Sequence, residues 1–343
     1  MPCHFYFYAM CVIIGPLAMG KRKYFWLGVI LSLAGLGYVF YRAEPARMLG
    51  ALQEAQYVYL VPALVLYFIG VWIRAVRWHF LLRSIKAIPS RALFPPVVIG
   101  YMANDILPAR MGELVRAYVL GRQENVSKAT TLVTIVVERI FDGLTMLTFI
   151  VAGSFVLDLA NEELNTQVRV IGIAFIVAIL ALALLAGMPR RVEQVADLFI
   201  QRLPTASART RAQALTRALL DGLGTLRSPA DSLTVYALSV LAWLFETGMY
   251  IVIAWGFQIT AVFPVFLVTC AIANLATLLP STPGYIGVFH AAVISVLTQF
   301  GLEYNLATSY TFVLHAALII PVTLWGFFYV WRAGLSLSQM TRA

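Results

Sequence analysis

The sequence predicts an all-α, polytopic integral membrane protein, with about six transmembrane helices plus two re-entrant helical hairpins in an inverted repeat. Three observations predict it. The chain of 343 residues is 61% hydrophobic and only 12% charged, with a mean hydropathy of +0.84, far above the globular range. Apolar stretches long enough to cross a bilayer recur from end to end. Two further apolar regions are interrupted by Pro/Gly motifs in matching places.

A hydrocarbon core of about 30 Å needs roughly 20 apolar helical residues. Spans are expected at 24–41, 57–73, 130–157, 168–187, 233–257 and 305–331. The stretch 1–20 reads as an N-terminal extension. Its basic cluster (Lys21, Arg22, Lys23) follows the apolar run, whereas a signal peptide would put it first. Met19 is an alternative start.

The remaining apolar regions, 92–121 and 264–300, read as re-entrant hairpins. The first turns polar after about a dozen apolar residues, too few to cross. The second is broken by Pro280, Pro283, Gly284 and Gly287. Proline removes a backbone donor and glycine permits a tight reversal. Charge supports this arrangement. With both termini cytoplasmic, the loop with Arg74, Arg77, Arg83, Lys86 and Arg91 lies inside. So do Arg116, Arg122, Lys128 and the arginine-rich linker 188–230, while the acidic loop 158–167 lies outside. Counting both hairpins as full crossings reverses the last two.

The halves repeat. "ANDILPARMG" (103–112) and "ANLATLLPSTPG" (273–284) both set Ala-Asn ahead of Leu-Pro-x-x-x-Gly, and Pro108 and Pro280 are 172 apart. The first repeat covers 21–157 and the second 168–335, each reading span, span, hairpin, span. Three crossings per half is an odd number, so the second half is inverted. Paired Gly/Pro interruptions in such repeats point to a substrate site.

Residues 104–116 ("NDILPARMGELVR"), 137–143 ("VERIFDG") and 279–291 ("LPSTPGYIGVFHA") resemble the flippase-like family that comprises the transmembrane region of lysylphosphatidylglycerol synthases and related stand-alone membrane proteins. The resemblance runs from about residue 20 to 335. It implies a lipid-handling membrane region. Without the aminoacyl-transfer domain of the synthases it implies no synthase activity. The family's second motif usually reads Pro-Gly-Gly with a glutamate further on; here Tyr285 takes the second glycine position and His290 the glutamate position.

The candidate lipid-headgroup or cavity residues are Asn104, Asp105, Arg110, Glu113, Arg116, Glu138, Arg139 and Asp142. Polar groups at membrane depth are costly and mark functional sites, and the arginine fork suits a phosphate. The alternative is a brace, with Arg110 and Glu113 pairing to fix the hairpin. Glu138, Arg139 and Asp142, within five positions of one span, read either as a buried clamp on the first hairpin or as a proton relay. The clamp would have Arg139 neutralised by Asp142 and Glu113. Pro108, Gly112, Pro280, Pro283, Gly284 and Gly287 are the hairpin breaks. Glu246, alone in its span, and His290 are candidate coupling residues, with Glu246 paired through His290 or His315; a satisfied core histidine is the alternative. Arg74, Arg77, Trp78 and Arg83 read as a basic-aromatic orientation belt. Linker 188–230 reads as an interfacial amphipathic helix.

The function expected is a lipid flippase or transporter that moves or binds an anionic phospholipid or a polyisoprenoid phosphate across the cytoplasmic membrane. The alternative is a non-transporting partner that anchors or presents lipid to a glycosyl- or acyl-transferase of the membrane or cytoplasm. No nucleophile, metal, haem or nucleotide signature is visible, so neither an enzyme nor a cofactor is expected. The basic charge of +9 sits in loops between spans, unlike a nucleic-acid patch. An oligomer is open.

Overall fold

The computed structural model describes residues 21–107, 111–155, 188–202, 205–279 and 281–335, with scattered positions between 157 and 187. Among the described residues the fold is helical, without strands. In chain order the helices are α1 (Lys21–Arg42), α2 (Pro45–Glu54), α3 (Leu60–Leu82), α4 (Ser90–Ile106), α5 (Gly112–Glu124) and α6 (Lys128–Ser154). They continue with α7 (Pro189–Ile200), α8 (Ala206–Gly222), α9 (Pro229–Gly256), α10 (Phe263–Ala276), α11 (Val288–Gln299) and α12 (Tyr304–Arg332). The N-terminal extension, the acidic loop 158–167 and most of span 168–187 lie outside the described residues.

Local chemistry sets the boundaries. Pro45, Pro189, Pro229 and Pro264 stand at helix starts, where the missing donor costs nothing. Ser127 caps α6 through Thr130, Ser228 caps α9 through Asp231, and Glu303 caps α12 through Leu306. Asn125, with φ +58°, ends α5 in the left-handed region.

Among the described residues, three segments are long and apolar enough to cross a membrane: Tyr57–Leu82, Pro229–Gly256 and Tyr304–Arg332. The first runs nine residues past the expected end at 73. The broken regions each form two helices packed on one another, α4 with α5 and α10 with α11. The segment 42–56, expected as loop, contains α2, which packs on α12. In the linker, α7 keeps Val195, Leu198 and Phe199 exposed. By contrast α8 docks on α6, where Gly222 lies against Val133.

Packing is reciprocal between the two halves. α3 and α9 lie along one another at the centre. α4 packs on α12, the last helix of the other half, and α10 packs on α6 in the same way. Gly70 lets α3 approach the Ala242 carbonyl of α9, and a Cβ there would lie 3.1 Å from that oxygen. Those two positions are separated by the same 172 residues as the hairpin prolines. Matching hydrogen bonds tie the helices of each half. Trp78 Nε1 donates to Thr134 Oγ1 at 3.1 Å in the first, and the Tyr310 hydroxyl donates to the Tyr250 carbonyl at 2.8 Å in the second.

Candidate functional site

Four of the headgroup candidates meet in one buried cluster with a partner not expected there. Glu138, fully buried on α6, takes a two-pronged bond from Arg116 of α5, at 2.8 Å to Oε1 and 2.9 Å to Oε2. Arg77 of α3 reaches the same Oε1 at 3.1 Å and also bonds Asp142. Arg139 closes the group, at 2.9 Å from Glu138 and 3.3 Å from Asp142, with Glu113 in electrostatic reach. Neutral groups complete it: Trp243 Nε1 donates to Asp142 at 2.8 Å, and Ser239 Oγ accepts from Arg77 at 2.7 Å. The Arg116 guanidinium lies 3.7 Å over the Trp78 ring. The cluster thus joins α3, α5, α6 and α9.

The electrostatics are those of a site kept charged without water. Charges in low dielectric persist only when paired and hydrogen-bonded, and here each carboxylate receives at least two guanidinium groups. Donor capacity is left over. The Nε–H groups of Arg77, Arg116 and Arg139 are buried and have no hydrogen-bond partner among the described residues. Unspent donors on cations suit an acceptor-rich anion.

A second buried pair lies on the contact between α3 and α9. Arg74 Nη2 bonds Glu246 Oε2 at 2.7 Å, and its guanidinium stacks 4.3 Å from the Trp243 ring. The partner of Glu246 is therefore Arg74, and neither His290 nor His315 fills that role. Arg74, Arg77 and Trp78 are not an orientation belt either. They are 2%, 0% and 0% exposed, because α3 continues through them. Only Arg83 stands at the surface, paired with Asp231 at 2.6 Å. Sequence reading missed Arg74 and Arg77 because they follow the apolar run. The available signal was their spacing, which continues the helical stripe of Tyr67, Gly70 and Val71 to Leu81.

Asn104 and Asp105 do not enter the cluster. The Asn104 side-chain oxygen accepts the Gly112 N–H at 2.8 Å, latching the ends of the first hairpin. Asp105 accepts from the Thr323 hydroxyl at 2.8 Å, fixing α4 to α12. Gly112 is required because a Cβ would collide with the Gly100 carbonyl and the Asn104 amide. Pro108, Arg110 and Pro280 lie outside the described residues. At the second tip, Pro283 opens a 3-10 turn over Pro283–Tyr285. Gly284 and Gly287 have φ of +68° and +91°, and Tyr285 is left-handed at +57°. That conformation accounts for glycine at this position in the wider pattern. His290 and His315 face one another, with ring centroids 4.6 Å apart.

On its outward side α3 borders an apolar groove of about 620 Å³, lined by Leu64, Phe68, Trp72 and, from α4, Phe94. No group of three or more metal-ligating side chains occurs among the described residues.

Apolar helices of spanning length, with ionisable side chains turned inward and paired, define a polytopic membrane protein. The chain belongs to the family described as "Lysylphosphatidylglycerol synthase TM region", whose pattern matches residues 25–326. It is similar to glycosyltransferase AglD of Haloferax volcanii, 24% identical over 301 residues. That match takes in 77% of this chain and 47% of AglD, so the chain spans about half the length of that relative. A UPF0104 membrane protein of Methanothermobacter thermautotrophicus is also 24% identical over 301 residues, covering 83% of this chain and 88% of its own length. No solved structure matches.

Proposed function

We propose that this protein binds an anionic phospholipid or a polyisoprenoid-phosphate lipid in the cytoplasmic membrane and moves it between leaflets. The observation that carries the proposal is the Arg77–Arg116–Arg139 cluster, whose buried Nε–H donors have no partner among the described residues. Three guanidinium groups inside a membrane protein are retained at a cost that a structural brace alone does not require. The headgroup phosphate displaces part of the carboxylate shell, and the tail rests along the apolar groove beside α3. In this reading the α4–α5 and α10–α11 pairs are re-entrant hairpins of an inverted repeat. Reciprocal packing of the halves supports it, as do the matched Gly/Pro breaks. Six spans with both termini cytoplasmic complete the proposed topology.

The test is lipid translocation in proteoliposomes, with labelled phospholipids and isoprenoid phosphates, for the parent, Arg139→Gln and Arg110→Ala. Movement above empty vesicles for the parent, cut at least tenfold in folded Arg139→Gln, is the expected result. No movement of any lipid by folded parent protein rejects transport. A second reading, a partner that presents lipid to a glycosyl- or acyl-transferase, is favoured by the AglD match, which takes in half of a glycosyltransferase. Lipid binding without movement would support it.

A further inference from the structure

The two halves differ at one equivalent place. In the first, the interface between the hairpin's second helix and the following span carries Arg116 and Glu138. Setting the N-caps Ser127 and Glu303 in register puts Leu314 opposite Glu138, Leu318 opposite Asp142, and His315 opposite Arg139. The second half has therefore lost the ion pairs and holds two imidazoles instead, His290 on α11 and His315 on α12. They are 2% and 7% exposed. Phe289 stacks on His315 at 4.6 Å, and Phe312 lies 4.3 Å from His290.

Each ring also holds the hairpin tip. His290 Nδ1 accepts the Gly287 N–H at 3.4 Å. An acceptor nitrogen carries no proton, so the ring is neutral with its proton on Nε2. That Nε2 is buried without a partner among the described residues. His315 lies within reach of the Gly284 backbone. Those two glycines carry the positive φ values that shape the turn. Gly284 in turn abuts the first hairpin: a Cβ on it would lie 3.5 Å from the Asp105 carbonyl.

We propose that His290 and His315 form a proton-binding site whose occupancy loosens the second hairpin tip and, through Gly284, the end of α4. A proton arriving at His290 Nδ1 turns an acceptor into a donor and breaks the bond to Gly287 N–H. The neighbouring imidazole limits the pair to one added proton, since two like charges at this separation repel strongly. Among the described residues, the surroundings supply no compensating charge. α12 brings only His315 to the pair, and α1 brings the Ser32 hydroxyl, bonded to Thr282 N at 2.9 Å. The Cys270 thiol of α10 is turned toward Glu246, and the Asp105 carboxylate of α4 is engaged by Thr323. Burial therefore disfavours a proton while the tip is closed, and protonation is coupled to movement of the tip toward polar surroundings. The inference stands independently of which lipid, if any, is moved.

The test uses ¹⁵N-histidine-labelled protein in nanodiscs, titrated from about pH 8 to about pH 3, since burial disfavours the charged ring. Ring-nitrogen shifts are followed alongside hydrogen exchange of residues 281–288, corrected for intrinsic exchange at each pH. Expected are one protonation for the pair and a rise in tip exchange of roughly fivefold or more, the loss of about one buried hydrogen bond. His290→Gln should abolish the pH response. His315→Phe, which leaves the Gly287–His290 bond in place, should keep one protonation and the tip response. Rings that stay neutral, a response that persists in His290→Gln, or one lost in His315→Phe would each overturn the proposal. None of these readings depends on lipid translocation.

Discussion

Gly112 shows how little room the first hairpin leaves. A methyl group there would meet the Gly100 carbonyl and displace the Asn104 amide that accepts the Gly112 N–H. Gly112→Ala is expected to destabilise the protein by about 2–4 kcal/mol, since a backbone carbonyl cannot yield as a side chain can. Asn104→Ala removes only the latch and should cost about 1 kcal/mol. Thermal unfolding in detergent would rank the two, and equal losses would refute the steric account. At this scale the sequence was legible where polarity stood out against apolar surroundings. Arg116, Glu138, Arg139 and Asp142 were visible as ionisable groups inside apolar stretches, and they meet in space. Arg77 was not, because an arginine at the end of an apolar run has the same sequence signature at a lipid interface as in a core. Only its carboxylate partners, 65 residues away for Asp142, distinguish the two.

At the scale of elements, α6 carries the cluster because it pairs with three neighbours at once. Glu138 turns to α5 and α3 and Asp142 to α3 and α9, while a fourth helix, α8, packs nearer the start of α6, where Gly222 meets Val133. Removing one charge should cost more than removing both. Glu138→Gln leaves Arg116 and Arg77 facing each other over a neutral amide, a loss of about 3–5 kcal/mol. Glu138→Leu combined with Arg116→Met, which copies the apolar character of the second half, should recover part of that loss. Denaturation of the double variant and of its singles, Glu138→Leu and Arg116→Met, measures the coupling. Strict additivity would mean that the pair is not a unit. Periodicity located most helices, and the hairpin helices were legible from their Pro/Gly breaks. The helix α2 was not foreseen, since PARMLGALQE is short and amphipathic with a weak apolar signal. Its place is fixed by α12, where Asn305 accepts the Glu44 N–H at 2.7 Å, a contact that no local pattern encodes.

For the whole molecule the informative contact is the one between α3 and α9. Arg74 and Glu246 are separated by 172 residues, the same interval as Pro108 and Pro280 and as Gly70 and Ala242, which also touch. We propose that this interval marks two repeats, since residues in equivalent places meet only beside the axis that relates them. The Arg74–Glu246 pair therefore lies at the centre of the molecule, where the halves hold one another. A charge exchange across that centre tests the relation directly. Arg74→Glu alone buries two carboxylates face to face, and Glu246→Arg alone buries two guanidinium groups. Each should lose about 3–5 kcal/mol or fail to fold. The double exchange restores an ion pair in nearly the same backbone frame. It will not recover everything, because Arg74 also stacks on Trp243 while the corresponding neighbour in the first half is Val71. A residual deficit of about 1–2 kcal/mol is expected from the missing cation–π contact. Thermal unfolding of the four proteins decides the matter. A double variant no more stable than the singles would show that the two positions are not interchangeable, and that the matching interval does not mark a symmetry axis.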